Sequence, residues 1–78
     1  MEPFYQVSVS VLRLGGTEQV SNHYYKSIDK ADEHIAKERE NRIKDGFRVV
    51  SEMANAITLR NENWTEISLQ LTECYFED

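Results

Sequence analysis

Two histidines, one cysteine and 14 carboxylates are the side chains of this 78-residue sequence best suited to acid–base, nucleophilic or metal chemistry. His23 and His34 fall in different segments. His34 follows Glu33 and lies one turn before Glu38 in a helical pattern, an exposed polar setting. A general base needs burial or a charged partner in a cleft. Both histidines therefore read as solvated surface residues. Cys74 stands beside Glu73 with Glu77 nearby, and negative neighbours disfavour the thiolate that a nucleophile requires. Asp29, Asp32, Glu33 and His34 are the candidate metal ligands, with Asp29 and Glu33 one turn apart. The pattern offers no second helix with facing ligands and no EF-hand spacing. Acids in a first helical turn ordinarily serve the helix dipole. Gly15-Gly16 leads into a strand pattern, whereas a phosphate cradle leads into a helix. The expectation is a protein that is not an enzyme and has no catalytic residues, no metal and no cofactor.

Composition narrows the partners. The net charge is −5, from 14 acidic and 9 basic residues. That argues against direct nucleic-acid binding, which needs clustered Lys and Arg. It fits a basic protein partner, and equally fits plain solubility. A single cysteine forbids an intrachain disulfide and points to a reducing, cytoplasmic setting. No stretch approaches the roughly 20 apolar residues of a membrane span. Met1-Glu2-Pro3 lacks the basic and apolar regions of a signal peptide. The length suits a single domain over residues 1–78.

The elements follow from periodicity. Tyr5, Val7, Val9 and Val11 alternate with Gln6, Ser8 and Ser10, the mark of a half-buried strand. Gly15-Gly16 permits a tight hairpin turn. The returning segment, Thr17 to Lys26, alternates more weakly and suits an edge strand. Val20 and Tyr24 are assigned to the core face, and Ser21, His23 and Tyr25 to the other. A helix follows, capped by Ser27 or Asp29. It carries i,i+4 pairs Glu33–Lys37, Glu38–Arg42 and Glu40–Lys44. It ends before Gly46, and its apolar stripe is Ile28, Ala31, Ile35 and Ile43. Residues 47–59 read as a strand, either continuous or bent at Ala54-Asn55-Ala56, since Asn and Ala are poor strand residues. Asn61-Glu62-Asn63 reads as a turn. A final strand runs from Trp64 to Phe76 with Ile67, Leu69 and Leu71 inward. The predicted fold class is α+β: a four-stranded antiparallel sheet, β-β-α-β-β, with one helix packed on one face.

Two surfaces could bind a partner. One is the helix, with Asp29, Asp32, Glu33, Glu38, Glu40 and Asp45 interleaved by Lys30, Lys37, Arg39, Arg42 and Lys44. Mixed charge of this kind usually makes a solvated face. The other is the uncovered sheet face, toward whose ends the parity sends Phe4, Leu12, Leu14, Tyr25, Trp64, Cys74 and Phe76. Apolar residues there suit an interface. The candidate partner-binding residues are Asp32, Glu33, Glu38, Glu40, Tyr25 and Trp64.

The segment Tyr25-Lys26-Ser27-Ile28-Asp29-Lys30-Ala31 opens the helix as aromatic, Ser/Thr, acid and Ala. With a strand pair on either side and an acidic tail, this layout resembles small proteins of phages and mobile elements. In size, acidity and sheet-plus-helix build it is similar to anti-CRISPR proteins. The resemblance implies a phage-encoded inhibitor, acting in the host cytosol by occluding a surface of a host defence nucleoprotein complex. Two other readings stand beside it. One is a small structural or regulatory homodimer paired through an edge strand. The other is a partial nucleic-acid mimic.

Overall fold

The computed structural model describes residues 2–16 and 18–75. The elements are β1 (Phe4–Leu12), β2 (Glu18–Tyr25), α1 (Ile28–Lys44), β3 (Arg48–Glu52), β4 (Ala56–Arg60) and β5 (Glu66–Cys74). The strands form one antiparallel sheet in the order β2-β1-β5-β4-β3. The fold is α+β, with five strands in place of the four expected.

The extra strand comes from a reversal at Met53–Ala56, closed by a hydrogen bond from Met53 N–H to the Ala56 carbonyl at 2.7 Å. Asn55 is then tied to β5, its carbonyl accepting from Leu71 N–H at 2.9 Å. The break lies where poor strand residues cluster, and the chain turns fully back there. Its invisibility in the pattern has a simple cause. The turn changes phase, with Glu52 opposite Ile57, but the bulge before Ser51 undoes the change, so Val49 pairs with Leu59 and the apolar residues keep one odd-numbered pattern. A bulge between Val49 and Ser51 leaves Val50 without a register partner and shifts the phase beyond it. As a result Glu52, and not Ser51, shares the face of Ile57.

The first hairpin corrects a second expectation. A two-residue turn at Gly15-Gly16 would have set Val20 opposite Val11. Instead the turn closes earlier, with Gly16 N–H donating to the Arg13 carbonyl at 3.0 Å and Gly15 at φ 68°. Val11 consequently pairs with Gln19 and Ser10 with Val20. A one-residue slip moves every side chain of a strand to the opposite face. Val20 and Tyr24 therefore lie on the uncovered face, and His23 and Tyr25 lie under the helix.

The core rows run across the sheet. Val11, Ile67, Leu59 and Val49 form one row; Val9, Leu69 and Ile57 form the next. Val7, Val9, Leu59, Ile67, Leu69 and the helical Ala31 are buried. Helix α1 joins the two edges of the sheet, from the end of β2 to the start of β3. At about 1.5 Å per residue its 17 residues reach about 25 Å, enough to cross five strands spaced about 4.8 Å apart. Ser27 is the N-cap residue with extended backbone, though its hydroxyl makes no cap bond. At the other end Phe47 N–H reaches the Arg42 carbonyl and Gly46 N–H the Ile43 carbonyl. This is the Schellman arrangement, and it needs the positive φ of Gly46, 96°. Glu33–Lys37, Glu38–Arg42 and Glu40–Lys44 form as the spacing predicts, at 3.4–3.5 Å. Arg39 binds Glu52 at 3.1 Å and fastens the helix to β3.

Candidate interaction surface

The open face of the sheet has a polar middle. Ser8 donates to Asn22 Oδ1 at 2.7 Å, and Gln6 Nε2 to Tyr24 Oη at 3.4 Å, both between register partners. Ser68, Gln70 and Thr72 continue this polar strip on β5, opposite Ser10, Ser8 and Gln6. Apolar groups gather at the two ends. At one end the Phe4 and Tyr24 rings meet at a tilt with centroids 6.1 Å apart, and Tyr24 is 60 % exposed. At the other, Leu12, Leu14 and Trp64 line one shallow depression with Arg13 and Glu66. Leu14 is 77 % exposed and Trp64 is 62 % exposed.

Trp64 does not start the last strand, as its parity had implied. It sits in the turn before β5 with φ 63°, a left-handed conformation that costs a non-glycine residue about 1–2 kcal/mol. Asn61 holds that turn. Its Oδ1 accepts from the N–H groups of Asn63 and Thr65, both at 3.0 Å. Its backbone pairs with Thr65 and accepts from Trp64 N–H at 3.2 Å. Arg60 lies 5.3 Å from the Trp64 ring centroid and 3.6 Å from Glu66, so the indole rests on a fixed cation. Asn61→Ala removes the acceptor that two backbone donors share. We expect a loss of about 1–2 kcal/mol, seen as a fall in Tm of roughly 5–15 °C. Asn61→Asp keeps the acceptor and should melt close to wild type; equal losses in both variants would show that the side-chain bonds are not what holds the turn.

On the helix side the histidines meet. Tyr25 Oη and His34 Nδ1 are 2.6 Å apart, and the His23 and His34 rings are edge-to-face at 4.7 Å between centroids. The two histidines are thus in contact, with His34 half-buried, although His23 remains exposed as expected. The slip in the first hairpin places His23 and Tyr25 of β2 beneath the helix, where His34 descends on them. The recess around them is also lined by Lys30, Glu33 and Lys37. Glu33 contacts both lysines, at 3.9 and 3.4 Å. Tyr25, expected on the open face, thus pins the helix to the edge strand, and Tyr24 takes its place outside.

The helix carries five acidic and five basic residues from Ile28 to Lys44 and has no net charge. The excess acidity of the chain lies on strands, turns and the ends. Of the four helical carboxylates expected to meet a partner, Glu33, Glu38 and Glu40 are each held by a basic neighbour one turn away. Asp32 instead lines the groove between helix and sheet with Ile35 and Ile57. Elsewhere Tyr75 donates to Glu73 at 2.6 Å, and this bond and the carboxylate charge raise its phenol above the ordinary value. Cys74 is a free, half-buried thiol that shares the open face with Phe4. Phe76 lies outside the described residues. Among the described residues no group of three or more His, Cys, Asp or Glu is placed to hold a metal ion. Among them too, no helix is long and apolar enough to cross a membrane.

The fold and surface define a one-helix α+β protein with a five-stranded antiparallel sheet open on one side. No protein-family model matches the chain, and neither does any curated protein or solved structure.

Proposed function

We propose that the chain is a non-enzymatic protein-binding module that works by covering a surface of its partner, with the open sheet face as its contact. The observation that carries this reading is Trp64. A large indole is held exposed, in a backbone conformation that costs free energy, beside exposed Leu12 and Leu14. Strain of this kind persists where the surroundings impose it, and it concentrates at functional positions. Tryptophan is also among the residue types enriched at binding hot spots. The resemblance to phage-borne inhibitors makes the partner a CRISPR-type nucleoprotein complex of a bacterial host, met in its cytosol. The helix is the weaker contact candidate, because its charges cancel along its own length. Nucleic-acid mimicry needs a one-signed surface, and α1 does not offer one.

The test adds purified protein to reconstituted CRISPR-type effector complexes and follows target binding and cleavage. Stoichiometric inhibition of one complex supports the target; inhibition of none overturns it. The triple charge reversal Glu33→Lys, Glu38→Lys, Glu40→Lys locates the contact on whatever complex is bound. It costs about 1–3 kcal/mol of stability, through three lost i,i+4 pairs and the like-charge pairs that replace them. Partner affinity should nonetheless stay within about threefold of wild type, since 1.4 kcal/mol corresponds to tenfold. Loss of binding with a folded circular-dichroism spectrum would move the site to the helix.

A further inference from the structure

We infer that β2 is a self-pairing strand, and that two copies of this chain join edge to edge through it about a two-fold axis at Asn22. This interface stands apart from the partner contact proposed above and survives if that contact is wrong. Edge strands offer unpaired backbone groups to any other chain and are normally protected by shortness, bulges, charge or proline. The other edge, β3, has such protection: it is five residues long, bulged at Val50, and bears Arg48 and Glu52. β2 has none of it. It is eight residues long, pairs with β1 in unbroken register, and lacks proline; its one charge is Glu18.

The order of residues along this edge is self-complementary. Antiparallel pairing about an axis perpendicular to the sheet sets residues of like parity opposite each other. With the axis at Asn22, Val20 faces Tyr24 of the second copy and Asn22 faces itself, while Glu18 falls opposite Lys26, the bend residue just past the end of β2. On the helix side Ser21 meets His23 and Gln19 meets Tyr25. Each open-face pair is matched: opposite charges, two apolar groups, two amides. Among the described residues neither Glu18 nor Lys26 has an ion-pair partner within its own chain. Val20, at 56 % exposed, and Tyr24 would each gain cover. Ser8 already orients the Asn22 amide through Oδ1, which leaves its NH2 group to reach across the axis. Neighbouring registers lose this match. An axis at His23 opposes two imidazoles and sets Lys26 against Val20. An axis at Ser21 sets Glu18 against Tyr24 and leaves Lys26 without a counterpart. The product is a ten-stranded sheet in which both open faces point the same way.

Sedimentation equilibrium on the full chain tests this. Wild type should dimerise at micromolar concentration. Glu18→Lys, which places two lysines in apposition twice per dimer, should weaken association about tenfold, as should Lys26→Glu. The double variant Glu18→Lys, Lys26→Glu restores both pairs and should return to within about threefold of wild type. In a Cys74→Ser background, Asn22→Cys should oxidise to a covalent dimer. Val20→Cys should not, because its own copy lies about 14 Å away at about 3.4 Å per residue. A wild-type chain that remains monomeric, a double variant as weak as the single ones, or crosslinking at Val20→Cys in place of Asn22→Cys would each overturn the assignment. Circular dichroism separates these outcomes from loss of fold.

Discussion

Leu69→Ala is expected to lower Tm by roughly 10–25 °C, a large stability effect for a single truncation. Leu69 is fully buried in β5, the central strand, between Val9 of β1 and Ile57 of β4. Truncating a buried leucine costs about 2–5 kcal/mol, through lost transfer free energy and the cavity left behind. A domain of this size holds about 4–12 kcal/mol in all, at about 0.05–0.15 kcal/mol per residue. In a one-helix fold few neighbours can relax into the void. β5 is also the strand that joins the two hairpins into one sheet, so the loss is felt on both sides. Leu14→Ala, at a leucine 77 % exposed in the first hairpin turn, is the matched control and should cost under about 1 kcal/mol. Equal losses at both positions, read from urea or thermal unfolding, would mean that the central row of the sheet is not the seat of stability.

Trp64→Gly is expected to separate stability from binding. Glycine adopts φ 63° without the Cβ clash, so relief of strain offsets the lost contact with Arg60. Tm should hold or rise by a few degrees. Partner affinity, measured by titration against the complex that wild type inhibits, should fall about 30-fold or more, the scale of a hot-spot residue at about 2 kcal/mol. The opposite signs are the mark of a residue kept for contact at the expense of stability. A glycine variant that binds as wild type would remove Trp64 from the interface. One that unfolds would show that the indole is structural. Leu14→Asp, in the same depression, should act in the same direction on binding, through a charge placed in an apolar contact.

Several features were readable from residue order because they depend on neighbours a turn or a strand-step apart. The helix with its i,i+4 pairs, the Gly46 stop, the turn at Asn61 and the inward rows of β1 and β5 are of this kind. The weak alternation of residues 18–25 also marked the edge strand correctly. The open-face apolar residues Phe4 and Leu12 followed from parity in β1, whereas Leu14 and Trp64 reached the same surface through turns that parity did not describe. The fifth strand was hidden, because the phase change at the reversal is cancelled by the bulge at Val50 and the apolar pattern stays odd-numbered, and no glycine or proline marks it. The only local signal was the Ala54-Asn55-Ala56 cluster.

Chemistry-bearing contacts were decided by register. Whether Tyr24 or Tyr25 faces the helix turns on one residue of loop length, and that choice brings His23, Tyr25 and His34 together. The residue pattern by itself determined the class of fold, the helix, most of the buried rows and the near-balance of charge along α1. Tertiary structure alone decided the strand order, the β3–β4 reversal, the histidine–tyrosine cluster and the left-handed backbone of Trp64. The physical reason is range. Propensity and periodicity act over a few residues, whereas register and strand order are settled by which side chains fill the space beneath one helix.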